Sequence, residues 1–281
     1  MRRQSTSDLY CAGSWFELCS CLSYKGAQYS KTELNRVAPS IGIADCIRQK
    51  MKTIGLIGGV SWFSTSEYYI RMNKLMYQRL GHQYSAKILL YSFNFEEILK
   101  YQLNNDSQAE ANLLIEAAKK LEDAGADFIL ICSNTTNKTA QQIARAISIP
   151  IVDIIELTAQ HICRTGLRDL GLLGTKSVMK QDFYRHVLAS YGLRVTIPSD
   201  DECEIIHTII YEELCHGIVK EDSKKAFLSI IDNLRSKGLE GIILGCTEIP
   251  ILINQEDTPV RVFDSTQIHV ERAVEMALSS I

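Results

Sequence analysis

The feature that most constrains the fold of this chain is an internal duplication of its apolar segments. TIGLIGG in the first half resembles DLGLLGT in the second. From Gly55 to Cys132 the spacing is 77 residues, and from Gly171 to Cys246 it is 75. Two halves with matching order and near-equal spacing predict a duplicated structural unit.

Short apolar runs alternate with longer amphipathic ones in both halves. LLIEAAKKLEDAG precedes FILIC in the first half, and SKKAFLSIIDNLRSKG precedes GIILGC in the second. PIVDIIELTAQH is likewise matched by PVRVFDSTQIH. This alternation predicts an α/β fold with two pseudo-symmetric domains, each a parallel sheet flanked by helices. The active site is expected in the cleft between the domains, beyond the carboxyl ends of the strands.

Three segments follow from this pattern. Residues 1–50 show neither strand nor helix periodicity, and MKTIGLIGG begins after them with a start-like methionine. We therefore predict a weakly ordered N-terminal appendage over 1–50. The first α/β domain is expected over 51–156 plus 264–281, and the second over 157–263.

Composition narrows the class of function. The 281 residues carry a net charge of −3 with no basic block, which disfavours nucleic acid and anionic membrane as partners. No apolar run approaches the roughly 20 residues that span a bilayer. The nine cysteines lack the paired spacing of a zinc site, and their odd number argues against a complete disulfide framework. We expect no metal, a cytoplasmic location and a small-molecule substrate.

Cys132 and Cys246 are the candidate catalytic residues. Each ends a predicted buried strand just before a helix, where the helix N-terminus is expected to lower the thiol pKa. Thiols on opposite sides of one cleft can invert a carbon stereocentre, because one removes the α-proton and the other protonates the opposite face. A single cysteine at a strand end is more often a small core residue, and it is the pairing that favours catalysis.

Donors for a substrate carboxylate flank the two cysteines. They are Ser133, Asn134, Thr135, Thr136 and Thr247. The turn GLIGGVSW lacks the G-x-G-x-x-G pattern of a dinucleotide site, so no nucleotide cofactor is expected there. Its glycines are expected to let the backbone approach a ligand, with Val60 and Ser61 lining the cleft.

The chain resembles the aspartate/glutamate racemase family, in its broad-specificity amino-acid racemase branch. GLIGGVSWFSTSEYY, ICSNTTNK, GTKSVMKQDFYR, YEELCHG and GCTEIP carry the resemblance, which runs from about Met51 to the C-terminus. It implies a racemase that needs no cofactor such as PLP and usually forms a homodimer. The family's catalytic cysteines fall on Cys132 and Cys246, its carboxylate-binding residues on Asn134, Thr135 and Thr247, and a substrate contact on Gln102.

Two departures from the family pattern keep alternatives open. Asn137 replaces a histidine that often closes the first motif, and no pair of basic residues can be assigned to a side-chain carboxylate. The predicted substrates are aspartate or glutamate first and a broader set of amino acids second. The alternatives are a diacid isomerase or decarboxylase of the same superfamily and an inactive small-molecule-binding member.

Overall fold

The computed structural model describes residues 51–104 and 106–279. The predicted appendage at 1–50 lies outside these residues. The described strands form two sheets. The first contains β1 (Ile54–Gly58), β2 (Ile88–Ser92), β3 (Phe128–Ile131) and β4 (Ile151–Val152). The second contains β5 (Asp169–Gly174), β6 (Arg194–Thr196), β7 (Gly241–Gly245) and β8 (Arg261–Asp264).

The two sheets have the same topology, which confirms the predicted duplication. The first has the order β2-β1-β3-β4 and the second β6-β5-β7-β8, and every pair of neighbours is parallel. Strands β1, β3 and β7 are buried along their whole length, as expected for parallel strands covered by helices on both faces. The domain limits stated above remain a prediction.

Helices connect and cover the strands. In chain order they are α1 (Trp62–Leu80), α2 (Phe95–Leu103), α3 (Ser107–Asp123), α4 (Ala140–Ala144), α5 (Ile154–Thr165), α6 (Lys176–Lys180), α7 (Asp182–Ser190), α8 (Asp200–Glu212), α9 (Glu221–Ser236), α10 (Ile249–Leu252) and α11 (Ser265–Leu278). Within the described residues, none of them is long and apolar enough to cross a membrane.

The helix that links the two sheets shows how local sequence sets an element. The Asp153 side chain caps α5 by accepting hydrogen bonds from the backbone N–H of Ile155 and Glu156. Gly166 ends the helix with a φ of 83°, in the left-handed region that glycine enters without a steric cost. Because both ends are specified, the crossover between the sheets occurs at a defined point of the chain.

The C-terminal helix α11 returns to the first half of the chain. The Ala277 carbonyl accepts a hydrogen bond from the Lys52 backbone N–H at 3.0 Å. His269, fully buried on α11, donates through Nε2 to the Val152 carbonyl at 2.8 Å. The last helix therefore stabilises the first sheet after the chain has completed the second.

Glycines at the end of β1 and directly after it allow close packing of the backbone. Gly59 has a φ of +81°, and a Cβ atom there would lie 2.2 Å from the Phe93 carbonyl oxygen. The Phe93 N–H also donates to the Gly58 carbonyl at 3.0 Å. The protein backbone after β2 thus makes a close approach at this turn.

Candidate active site

Cys132 and Cys246 immediately follow β3 and β7, the equivalent strands of the two sheets. The Cys132 backbone N–H donates to the Ile57 carbonyl at 2.9 Å, so pairing with β1 continues up to the cysteine. Cys132 is fully buried, and Cys246 is 6% exposed. Both are free thiols.

Polar groups beside Cys132 form hydrogen bonds with α11 and with the second half of the chain. The Asn134 Nδ2 donates to Ser265 Oγ at 3.1 Å, and the Tyr184 hydroxyl donates to Asn134 Oδ1 at 3.2 Å. The Thr135 and Thr175 hydroxyl oxygens are 2.9 Å apart. These contacts hold the predicted carboxylate-binding residues against the opposite half.

Glu248 is a buried carboxylate that collects hydrogen bonds from both halves. Its Oε1 accepts from the Ser61 hydroxyl at 2.7 Å. Its Oε2 accepts from the Thr247 hydroxyl at 2.7 Å and from the Cys246 thiol at 3.0 Å. The Cys215 sulfur lies 3.7 Å from Oε1. Because Glu248 is only 3% exposed, these donors are what compensates the burial of its charge.

A buried tyrosine–histidine pair lies near the other thiol. The Tyr68 hydroxyl and His269 Nδ1 are 2.8 Å apart. Since His269 Nε2 donates to a carbonyl, Nδ1 is the acceptor and Tyr68 the donor. Burial raises the pKa of Tyr68, and a negative charge on Cys132 would raise it further. Burial also lowers the pKa of His269 to about 4, so the imidazole is neutral at neutral pH.

A small cavity of about 30 Å³ lies between the halves. It is lined by Val60, Ser61, Phe95, Gln102, Ser133, Asn134, Thr135, Thr175, Ile210, Tyr211, Cys215, Gly245, Cys246, Thr247 and Glu248. The structure therefore brings together eight of the ten residues predicted from sequence. Cys132 and Thr136 are the exceptions, and both are fully buried.

A larger pocket of about 650 Å³ adjoins the cavity. The two share the side chains of Gln102, Thr135, Thr175 and Tyr211, which therefore separate the cavity from the outer pocket. Gln102 donates through Nε2 to Glu110 Oε1 at 2.7 Å. At this boundary Gln102, Thr135 and Thr175 therefore already have hydrogen-bond partners.

Burial dominates the electrostatics of both thiols, contrary to the expected lowering of their pKa. Removal from water raises the pKa of Cys132. The pKa of Cys246 is raised by burial first and by the negative charge of Glu248 second. The 3-10 turn and the helix α10 that follow the cysteines are each four residues long. Any field from such short elements is outweighed by desolvation, so burial favours the neutral thiol form of both cysteines.

Several lining residues were not predicted from sequence. They are Phe95, Thr175, Ile210, Tyr211, Cys215, Gly245 and Glu248. The motif GCTEIP contained a usable signal for Glu248, since it places an acidic residue directly after a buried strand. Nothing in the local sequence pattern of Cys215 indicates that it lines the cavity. The substituted position Asn137 is buried and donates through Nδ2 to the Ser133 carbonyl at 3.2 Å.

The duplicated α/β fold with a strand-end cysteine in each half defines the class of protein. The family model described as Asp/Glu/Hydantoin racemase matches residues 57–273. The chain belongs to this Asp/Glu/Hydantoin racemase family, whose members act on small amino-acid substrates.

Individual relatives agree with this assignment. The chain is similar to the crystal structure of a candidate Asp/Glu racemase from Yersinia pestis, with 45% identity, a TM-score of 0.76, and coverage of 81% of this chain and 100% of that one. It is also similar to the crystal structure of an aspartate racemase homologue from Pyrococcus horikoshii OT3. The sequence identity is 38% and the TM-score 0.72, and the match covers 81% of this chain and 99% of that one. The broad specificity amino-acid racemase RacX of Bacillus subtilis (strain 168) is 21% identical over 224 residues, covering 76% of this chain and 92% of that protein.

Proposed function

We propose that this protein is an amino-acid racemase that uses no cofactor and transfers protons through Cys132 and Cys246. The observation that carries the proposal is the placement of two free thiols at the ends of equivalent strands. The pseudo-symmetry gives each half one residue of the same type, as the two directions of an inversion require. Nearby hydroxyl and amide groups supply donors for the substrate carboxylate.

The proton transfers balance as follows. One thiolate removes the α-proton, so a C–H bond breaks, an S–H bond forms, and the electron pair delocalises into the substrate carboxylate. The other thiol then donates its proton to the opposite face of the α-carbon and becomes the thiolate. The two thiols therefore end the reaction with exchanged protonation states.

Glu248 offers a way to form the first thiolate. The Cys246 thiol donates a hydrogen bond to the Glu248 carboxylate at 3.0 Å. Transfer of that proton to Glu248 gives a Cys246 thiolate and a neutral carboxylic acid without changing the total charge. This route matters because burial disfavours formation of the thiolate by simple loss of a proton to solvent.

Substrate entry requires the cavity to open. A volume of about 30 Å³ has room for only about two or three water molecules. We propose that Tyr211, Gln102 and the hydrogen-bonded threonines at the boundary separate to join the cavity to the outer pocket. The same movement would uncover Cys132.

Proton NMR of the purified protein in D₂O tests the proposal. Without added PLP, L- and D-amino acids are supplied separately, and loss of the α-proton signal is followed together with formation of the antipode. Racemase activity predicts both events for at least one amino acid. Exchange of no amino acid, with turnover of malonate- or maleate-like diacids in parallel samples, would instead support the diacid enzyme.

Two further properties belong to this proposal. We propose a homodimer, which sedimentation equilibrium tests by giving the mass of one or two chains. We propose a reducing compartment such as the cytoplasm, because catalysis by Cys132 and Cys246 requires free thiols. Fractionation of cells followed by detection of the protein tests the location.

A further inference from the structure

Glu110 is a fully buried carboxylate that takes no part in the proton transfers proposed above. It lies in the first turn of the 17-residue helix α3, where the positive end of the helix dipole favours an acidic side chain. Its Oε2 lies 2.8 Å from Lys138 Nζ, and the Lys138 side chain is 14% exposed. Because a buried charge is costly unless it is paired, the lysine compensates the burial of this carboxylate.

The other carboxylate oxygen of Glu110 binds the side-chain amide of Gln102. Gln102 Nε2 donates to Glu110 Oε1 at 2.7 Å and to the Thr136 hydroxyl oxygen at 3.4 Å. An ionised carboxylate can only accept, so the amide nitrogen must face Glu110 and the amide oxygen must face away from it. The carboxylate therefore fixes which way round the amide of Gln102 is held.

The orientation of Gln102 matters because this side chain lines both the small cavity and the outer pocket. Glu110 also connects two elements that are separate in the chain. Gln102 lies on α2, and Lys138 lies on the 3-10 turn Thr136–Thr139, shortly after Cys132. One buried carboxylate thus fixes a side chain at the cavity boundary relative to the turn that follows a proposed catalytic thiol.

We propose that Glu110 is a positioning residue for the racemase reaction and acts through Gln102. The proposal rests on the proposed racemase function and goes beyond it, because Glu110 is not among the residues that line the cavity. Glu110 holds the amide of Gln102 in the one orientation in which that side chain contacts the substrate. The ion pair with Lys138 keeps the carboxylate ionised and therefore able only to accept. Substrate binding, rather than proton transfer, is the step that depends on Glu110.

The kinetics of Glu110→Gln test the proposal, because glutamine keeps the size of the side chain but can both donate and accept. The amide of Gln102 is then no longer restricted to one orientation. For the amino acid that the unmodified protein exchanges fastest in D₂O, we expect KM to rise about tenfold, as for loss of a hydrogen bond to a charged group. We expect kcat to change by less than about twofold, since uniform binding is lost. Glu116→Gln, an exposed change on the same helix, is the control and should leave KM unchanged.

A double-mutant cycle separates positioning from a merely structural role. Gln102→Ala removes the side chain through which Glu110 is proposed to act. In that background Glu110→Gln should cause no further rise in KM, so the two effects should not be additive. An equal rise in KM with and without the Gln102 side chain would overturn the proposal, as would an unchanged KM in Glu110→Gln alone.

A second variant covers the case in which Glu110→Gln does not fold because Lys138 has lost its partner. Glu110→Gln combined with Lys138→Met removes both charges and leaves neither one unpaired. Urea unfolding identifies the folded variants, and the cycle with Gln102→Ala is run on this double variant with the same expected result. Exchange of no amino acid by the unmodified protein would overturn the racemase proposal together with this one. Exchange with additive effects on KM would overturn the role of Glu110 alone.

Discussion

The two halves of the molecule place a cysteine at the same point of the fold but surround it differently. Two residues after Cys132 stands Asn134, a neutral amide that accepts from Tyr184 and donates to Ser265. Two residues after Cys246 stands Glu248, which accepts from the Cys246 thiol. Duplication thus preserved the backbone positions of the thiols while the groups beside them diverged. The two thiols are therefore not interchangeable acids and bases.

The halves also share a buried tyrosine with different partners. Tyr68 donates to His269, and Tyr184 donates to Asn134. Both tyrosines are fully buried, and burial raises the pKa of each hydroxyl. The first half consequently contains a neutral buried imidazole, whereas the cavity wall of the second half contains a buried carboxylate.

The largest effect is expected from removal of either thiol. Cys132→Ala and Cys246→Ala should each reduce racemisation by about 10²–10⁴-fold, the usual contribution of a positioned acid or base. Each variant should still exchange the α-proton of the one enantiomer whose α-proton faces the remaining thiol. The two variants should therefore retain exchange activity towards opposite enantiomers. Separate D₂O exchange assays on L- and D-substrate measure this.

Cys163→Ala is the matched control for the thiol variants. Its sulfur donates to the Tyr191 carbonyl at 3.5 Å, and it is not among the residues lining the cavity. Its racemisation rate should equal that of the unmodified protein. If both catalytic variants exchanged the α-proton of the same enantiomer, this result would contradict the assignment of one thiol to each face of the α-carbon.

Protonation of His269 should destabilise the first half in acid. Its pKa is lowered from 6.5 to about 4 by burial, so the unfolded chain binds this proton more readily than the folded one. The stabilisation is complete above pH 6.5 and is lost as pH falls through about 4, amounting to about 3 kcal/mol. Urea unfolding between pH 7.5 and 4.5 should show the loss.

His269→Gln should weaken this dependence of the unfolding free energy on pH. Glutamine can still donate to the Val152 carbonyl but does not titrate. His216→Gln changes an exposed histidine and is the control, for which the unmodified dependence is expected. Equal slopes in the His269 variant and the unmodified protein would argue against the buried neutral imidazole.

Glu248→Gln removes the charge next to Cys246 while keeping the size of the side chain. We expect kcat to fall by roughly tenfold to a hundredfold, since hydrogen bonds to charged groups contribute about 1.5–3 kcal/mol. The exposed Glu256→Gln serves as the control for loss of a carboxylate. An unchanged kcat in the Glu248 variant would mean that the second thiol acts without its acidic neighbour.

The smallest effect is a shift of the pH profile. The pKa of Cys246 is raised by burial and then by Glu248, so activity that needs this thiolate should increase with pH on the alkaline side of neutrality. In Glu248→Gln the second cause is absent, and the rising limb should move to lower pH. A limb at unchanged pH would assign it to a different group. The comparison is made on kcat/KM with one substrate across pH 6–10.

The strand-end cysteines and the parallel sheets could be predicted from sequence because their causes are local. Short buried strands require continuous apolar residues, so FILIC and GIILGC identify both the strands and the thiols that end them. The matching intervals from Gly55 to Cys132 and from Gly171 to Cys246 revealed the duplication and hence the pairing of the two thiols. Polar residues next to the cysteines were found in the same way.

Only the tertiary structure decided the charge and the enclosure of the site. The contact between Ser61 and Glu248 joins residues 187 positions apart, and the stack of Phe95 on Tyr211 joins the two halves. Burial, which raises the pKa of both thiols, likewise depends on what covers them. Periodicity records which residues are buried within one element. It does not show which distant side chains line the same cavity. In this protein the tertiary structure brings Glu248, Phe95 and Tyr211 to one cavity wall.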